Sequence, residues 1–220
     1  MFSPKTISFL RNLKRNNDRE WFRGHKVEYE QHVRTPIVAL LARLDEDFQT
    51  FAPELIAHPS VSLFRIYRDT RFSANKSPLK TQIGAYFPHR VMRKRGAGLY
   101  IEVGSDRVYI GGGLYVPNTA DLQAIREHVA SHHTRLRRIV NSAGFRRAVG
   151  ELQGNQLQRV PRGFPKDHPA ADYLRFRQFL AGTERPAAFA YKPGFYRELL
   201  AVFRQVAPLV QFLNQPLTST

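Results

Sequence analysis

Ile37, Leu40, Leu41, Leu44 and Phe48 sit at i, i+3, i+4, i+7 and i+11, the stripe of a helix with one buried face. Upstream, Ser3-Pro4 reads as a cap with proline at the first helical position, leading into Ile7, Phe9, Leu10 and Leu13. Asn16-Asn17-Asp18 breaks that helix and recaps the next one, which runs on to a kink or restart at Pro36. Trp21 and Phe22 are expected in the same core. After Pro59 the period shortens. "VSLFRIY", "QIGAYF", "GLYIEV" and "RVYIGGGLYV" are short, β-branched and aromatic, and read as strands. The "GSD" between the last two predicts a hairpin and hence antiparallel pairing.

Residues 118–150 return to helix, with Leu122, Ile125, Val129, Leu136 and Val140 as the apolar stripe. The proline-broken loop "QRVPRGFPKDHPAADY" follows, with Asp167 or His168 expected to cap a short helix starting at Pro169. Residues 194–213 read as a closing helix. Helices, a strand block and helices again predict an α+β fold with a mainly antiparallel sheet, flanked by N-terminal and C-terminal helices. No repeat or linker interrupts the chain, so residues 1–220 read as a single domain.

Composition narrows the classes. A 220-residue chain that is 42% hydrophobic can bury a sizeable core. It has no cysteine, which excludes disulfides, thiolate zinc sites and a cysteine nucleophile. The opening lacks a signal-peptide pattern, and the longest aliphatic run, residues 37–42, is too short for a bilayer. A soluble, cytoplasmic protein without membrane contact is the expectation; no motif asks for a cofactor, and oligomeric state is not legible. The net charge is +16, and residues 61–220 alone hold 25 basic against 10 acidic side chains. Such a field attracts phosphates and nucleic acids.

"RIYRDTRFSANKSPLK", residues 65–80, concentrates that charge: Arg65, Arg68, Arg71, Lys76 and Lys80 surround one acid, Asp69. As a strand, the segment would align Arg65, Asp69 and Arg71 on one face. One carboxylate cannot neutralise five cations. The turn-forming "FSANKSPLK", with Asn75 and Pro78, would expose backbone N–H groups beside Lys76 and make an anion-binding concavity. Arginine supplies a fork for phosphate or carboxylate and lysine a movable point charge. The candidate anion site is therefore Arg65, Arg68, Asp69, Arg71, Asn75, Lys76 and Lys80. Cations, one acid and turn amides would also suit stabilisation of developing negative charge, so catalysis there is compatible. Two alternatives stay open: a basic protein that associates non-specifically with nucleic acid, and a structural ion-pair network of Arg65, Arg68 and Asp69.

Other constellations weigh less. Gly111-Gly112-Gly113 lacks the phosphate-loop pattern and fits a bulge or a close backbone approach. His128 and His132 have metal-pair spacing without the glutamate of a zinc peptidase. Lys166-Asp167-His168 could supply acid–base chemistry, though a helix cap accounts for Asp167 more simply. Arg90, Arg93, Lys94 and Arg95 look like an exposed loop able to touch phosphates.

The 65–80 stretch resembles the signature of the bacterial conserved hypothetical proteins grouped as domain of unknown function 2461, Arg-x-x-Arg-Asp-x-Arg-Phe followed by an Asp/Asn-Lys pair. "TISFLRNLKRNNDREWFRGHKVEY", "GGGLYVP" and "GFPKDHPAADYLR" are similar to other parts of that family, so the likeness spans nearly the whole chain. The resemblance places the motif on Arg65, Arg68, Asp69, Arg71, Phe72, Asn75 and Lys76 and implies no activity. Asn75 stands where the family often has Asp, and Leu79 where it typically has Tyr. Those departures weigh against proton transfer by these groups more than against binding.

Overall fold

In the computed structural model, residues 1–93 and 95–218 are described; Lys94 of the basic run lies outside them. The helices are α1 Pro4–Arg15, α2 Arg19–Gly24, α3 Lys26–Tyr29, α4 Thr35–Phe51, α5 Pro59–Ser62, α6 Thr119–Ser131, α7 His133–Val140, α8 Ala143–Val149, α9 Ala171–Leu174 and α10 Phe195–Thr218. A π-helical turn, Glu30–Arg34, precedes α4, and a 3-10 turn, Ala187–Tyr191, precedes α10. The strands β1 Gln82–Phe87, β2 Gly98–Gly104, β3 Arg107–Leu114 and β4 Phe179–Pro186 form an antiparallel sheet in the order β1-β2-β3-β4. The fold is α+β with helices at both ends of the chain. Among the described residues, no helix is long and apolar enough to cross a membrane.

The chain forms two compact units. One comprises Met1–Phe87, Tyr100–Tyr109 and Glu184–Glu198; the other comprises Pro88–Leu99, Ile110–Thr183 and Leu199–Thr220. In the first, the predicted stripe of α4 is buried, and Phe48 meets Phe87 of β1 edge to face at 5.1 Å. Asp18 recaps the chain as its polarity predicts, accepting the N–H groups of Glu20 and Trp21. Phe22 is buried, but Trp21 stays half-exposed, stacked on His25 at 4.0 Å. Its ring also adjoins the buried Phe9 at 5.8 Å, so Trp21 lies at the edge of the core it was expected to join.

"VSLFRIY" is not a continuous strand. Proline at the first helical position and His58, whose ring nitrogen accepts the Ser60 N–H, start the short α5. The Ser62 hydroxyl donates to the Ile56 carbonyl at 2.7 Å, which buries the residue without penalty. Only Leu63 and Tyr67 then make isolated bridges, to Ala85 and Leu79.

In the second unit, the single helix expected over 118–150 is three. His132 ends α6, and Ser142 starts α8 by accepting the Phe145 N–H. Of its stripe, Ile125, Val129, Leu136 and Val140 are buried, while Leu122 is only half-buried. The helix expected at Pro169 begins at Ala171. His168 Nδ1 accepts the Ala170 N–H at 3.0 Å, so His168 rather than Asp167 satisfies the turn leading into it. The glycine run makes the close approach read from its composition. A Cβ on Gly112 would lie 2.7 Å from the Gly98 carbonyl, and one on Gly113, at φ +123°, would overlap the Phe179 carbonyl.

Candidate functional site

The 65–80 segment folds back on itself within the first unit. Phe64 donates its N–H to Gly84 at 3.0 Å, which seats the segment beside β1. Arg68 donates to the Pro78 carbonyl at 2.9 Å and Lys80 to the Ile66 carbonyl at 2.8 Å, closing an antiparallel loop. Proline at 78 leaves a carbonyl to give and no N–H to satisfy, which suits one rung of so short a ladder. Asn17 clamps the returning arm: its Nδ2 donates to the Leu79 carbonyl at 3.0 Å and its Oδ1 accepts the Leu79 N–H at 3.1 Å. Ile66 and Leu79 turn inward and are buried.

The charged side chains divide into two groups. At the loop end, Arg71 binds Asp69 through both carboxylate oxygens, and Asp69 Oδ1 also accepts the Arg71 N–H at 3.2 Å. Those hydrogen bonds from Arg71 hold the Asp69 carboxyl below its ordinary range; Arg65 adds a smaller pull. Asn75 takes the Ser77 N–H at 2.9 Å, the turn-shaping contact of an Asx residue. Lys76 donates to the Thr70 carbonyl at 3.1 Å and Arg68 to the Ser73 hydroxyl at 3.4 Å. These partners are all neutral. Phe72 projects almost fully into solvent, 97% exposed, with Arg71 over its ring at 5.8 Å.

At the loop base, Arg65 and Lys80 lie close enough for their charges to interact. Burial first, and Arg65 second, hold the Lys80 ammonium below lysine's ordinary range, against the upward pull of Glu102. Neither Arg65 nor Lys80 forms an ion pair among the described residues. Lys80 Nζ sits 4.6 Å from the centre of the Phe64 ring. Phe64 adjoins Tyr100 of β2 at 6.2 Å, and Tyr100 adjoins Tyr109 of β3 at 5.9 Å. The Tyr100 hydroxyl donates to Glu102 Oε2 at 2.7 Å. Burial first and that carboxylate second push the Tyr100 phenol above its usual range; burial first and Glu184 second, with a smaller push from Glu102, do the same for Tyr109.

Sequence reasoning grouped the cations but missed Asn17, Phe64, Tyr100, Glu102 and Tyr109. Alternation in "GLYIEV" does put Tyr100 and Glu102 on one face. No local signal says that Lys80 comes over Phe64 and within reach of the Glu102 charge. The alternative ion-pair network of Arg65, Arg68 and Asp69 does not form among the described residues: there Asp69 pairs with Arg71, both are exposed, and such pairs contribute little.

The remaining candidates fall in the second unit. Arg95 is paired with the buried Asp121, Nη2 to Oδ1 at 2.5 Å, while Arg90 and Arg93 are exposed. The His128 and His132 rings lie 4.3 Å apart and tilted by 31°, and the His132 ring is turned to the His128 carbonyl. Among the described residues no group of three or more His, Asp or Glu is placed to hold a metal. Lys166 and Asp167 are exposed, and the His168 ring lies edge-on to His133 at 5.8 Å.

No curated protein and no solved structure matches this sequence. A family profile described as conserved hypothetical protein (DUF2461) matches residues 5–212, nearly the whole chain and all of the hairpin just described. By that match, the chain belongs to this family of conserved hypothetical proteins, DUF2461.

Proposed function

We propose that the protein binds a phosphate- or carboxylate-bearing small molecule at the 65–80 hairpin. Arg65 and Lys80 hold the anion at the loop base, and Arg68, Arg71 and Lys76 add positive field from the loop. Asp69 orients Arg71, and Asn75 shapes the turn. The reading rests on one observation. Two like charges, the exposed Arg65 and the half-buried Lys80, are kept close with no ion-pair partner among the described residues, an arrangement that an incoming anion relieves.

A thermal-shift series with phosphate, sulfate, sugar phosphates and dicarboxylates tests it. A ligand that binds only the folded state adds about 2.7 kcal/mol at a hundred times its Kd. At least one anion should raise the melting temperature of the wild type and not that of Arg65→Ala or Lys80→Met. Equal shifts in all three proteins, or none in any, would sink the reading.

One observation favours a second reading, nucleic-acid association through the other unit. That unit holds sixteen Lys and Arg against five Asp and Glu. Arg135, Arg137, Arg138, Arg146 and Arg147 of α7 and α8 are exposed, and among the described residues none pairs with a carboxylate. Binding to duplex DNA should then weaken steeply with salt, by a log–log slope of about −0.9 per phosphate contacted. Arg138→Ala with Arg147→Ala should flatten that slope and Arg65→Ala should not; the opposite pattern would reject this surface.

A further inference from the structure

We propose that the anion held by Arg65 and Lys80 carries a planar aromatic base, so that the ligand class is a nucleotide, with the base resting on Phe64, Tyr100 and Tyr109. The inference depends on the anion reading above and adds to it a second half of the site. Cross-strand tyrosines are ordinary on a sheet. Three features set these apart.

First, Phe64, Tyr100 and Tyr109 form a continuous aromatic row that does not consume its own faces. The ring centres are about 6 Å apart with planes 47° to 52° apart, so neighbours meet obliquely and are not stacked face to face. Phe64 is 41% exposed and both tyrosines are only half-buried. Second, the row lies low. The neighbouring position on β1 is Gly84, where a Cβ would come 3.3 Å from the Tyr100 hydroxyl, 3.1 Å from the Ile101 carbonyl and 3.6 Å from Phe64. A side chain at 84 would lift the Tyr100 ring and close the gap beside Phe64. Third, the cations stand at one end of the row, with Lys80 Nζ above the Phe64 ring. A phosphate on Arg65 and Lys80 therefore leaves the rest of its molecule directed over aromatic carbon.

Glu102 supplies the remaining specificity. One carboxylate oxygen accepts the Tyr100 hydroxyl, and the other has no hydrogen-bond partner among the described residues. A carboxylate beside an aromatic floor accepts from a ribose hydroxyl or from a base N–H. Base, sugar and phosphate are thus each matched by a different side chain. The same chemistry is offered by a free nucleotide and by a single strand, since base–aromatic stacking is indifferent to what the sugar is joined to.

The test is a set of calorimetric titrations with adenosine 5′-monophosphate, ribose 5-phosphate, inorganic phosphate and a short oligothymidylate. Wild type should bind the nucleotide about ten-fold or more tighter than ribose 5-phosphate, the size expected for one stacked base. Tyr100→Leu and Tyr109→Leu should erase that difference while leaving phosphate binding unchanged. Phe64→Leu, at a more exposed ring, repeats the test should either tyrosine variant unfold. Oligothymidylate binding that the same variants abolish, in preference to the free nucleotide, supports the platform and assigns it to a strand. Equal affinity for nucleotide, ribose 5-phosphate and phosphate overturns the base platform and leaves the anion site standing. Failure of all four probes overturns both.

Discussion

Arg71 grips Asp69 at both carboxylate oxygens, Nη2 to Oδ2 at 2.7 Å and Nε to Oδ1 at 3.0 Å. The one acid of the motif is therefore spent on one of its five cations, and among the described residues the other four form no ion pair with a carboxylate. Because the pair lies at the loop end, the loop base, where Arg65 and Lys80 meet, keeps its positive field.

Arg71→Leu should return the Asp69 carboxyl toward the ordinary aspartate range, which carboxyl-carbon NMR would follow directly. The folded-state value is lowered, so whatever stability the pair gives is present above the unfolded value of about 3.9 and is lost as pH falls through the lower folded one. Asp69→Asn should weaken phosphate binding by releasing the Arg71 fork from the orientation Asp69 gives it. Tighter binding in that variant would mean that the pair withholds Arg71 from the anion.

Lys80 should titrate below other lysines, and Arg65→Leu should raise it by removing the second cause of its shift. Glu102→Gln should lower it further. Between the folded and unfolded values the unfolded chain binds more protons at this position, so stability rises with pH through that window. A bound anion should push Lys80 back up. Side-chain NMR of the lysine Cε, with and without phosphate, reads all four effects; a Lys80 signal indifferent to Arg65 would separate the two cations.

Asn214 holds Ala97 from both sides, accepting its N–H at 2.7 Å and donating to its carbonyl at 2.9 Å, with Asn214 only 3% exposed. Asn214→Leu strands two buried backbone groups at about 1–3 kcal/mol each. A urea midpoint unchanged by this substitution would show that water replaces the amide.

Gly113→Ala puts a methyl onto the Phe179 carbonyl at a φ that L-residues rarely adopt. The cost should exceed the ~1 kcal/mol of an ordinary glycine substitution, because strand β4 must move away from β3. Chemical denaturation measures it, and Gly163→Ala, where a Cβ meets open space at φ +92°, isolates the part due to backbone strain alone.

His128 is pushed down to about 4, by burial first and then by His132 and Arg135. Its Nε2 is buried without a partner, and the ring lies 4.5 Å from Phe212. Folded His128 stays neutral while an unfolded one protonates near 6.5, so stability should fall as pH drops from about 6.5 to 4. His128→Leu should flatten that part of the pH–melting curve. An unaltered slope would assign the acid sensitivity to other groups.

The linear sequence by itself determined the elements whose signals are local. The stripe from Ile37 to Phe48, the cap at Asp18, the "GSD" hairpin and the backbone approach at Gly112 and Gly113 each depend on residues a few positions apart or on a missing side chain. Family membership and the charge imbalance of the 65–80 stretch were equally legible. Tertiary structure decided the rest. "VSLFRIY" has strand composition, yet His58, Pro59 and the Ile56 carbonyl, which Ser62 reaches, draw its start into a helical turn. Asn17 grips Leu79 from sixty-two residues away, and Lys80 lies over Phe64 and within reach of the Glu102 charge, with Phe64 itself hydrogen-bonded to Gly84. A local pattern records which residues prefer which backbone. It carries no record of which distant side chains the closed chain will place beside a charge, and that placement sets both the Lys80 environment and the candidate site.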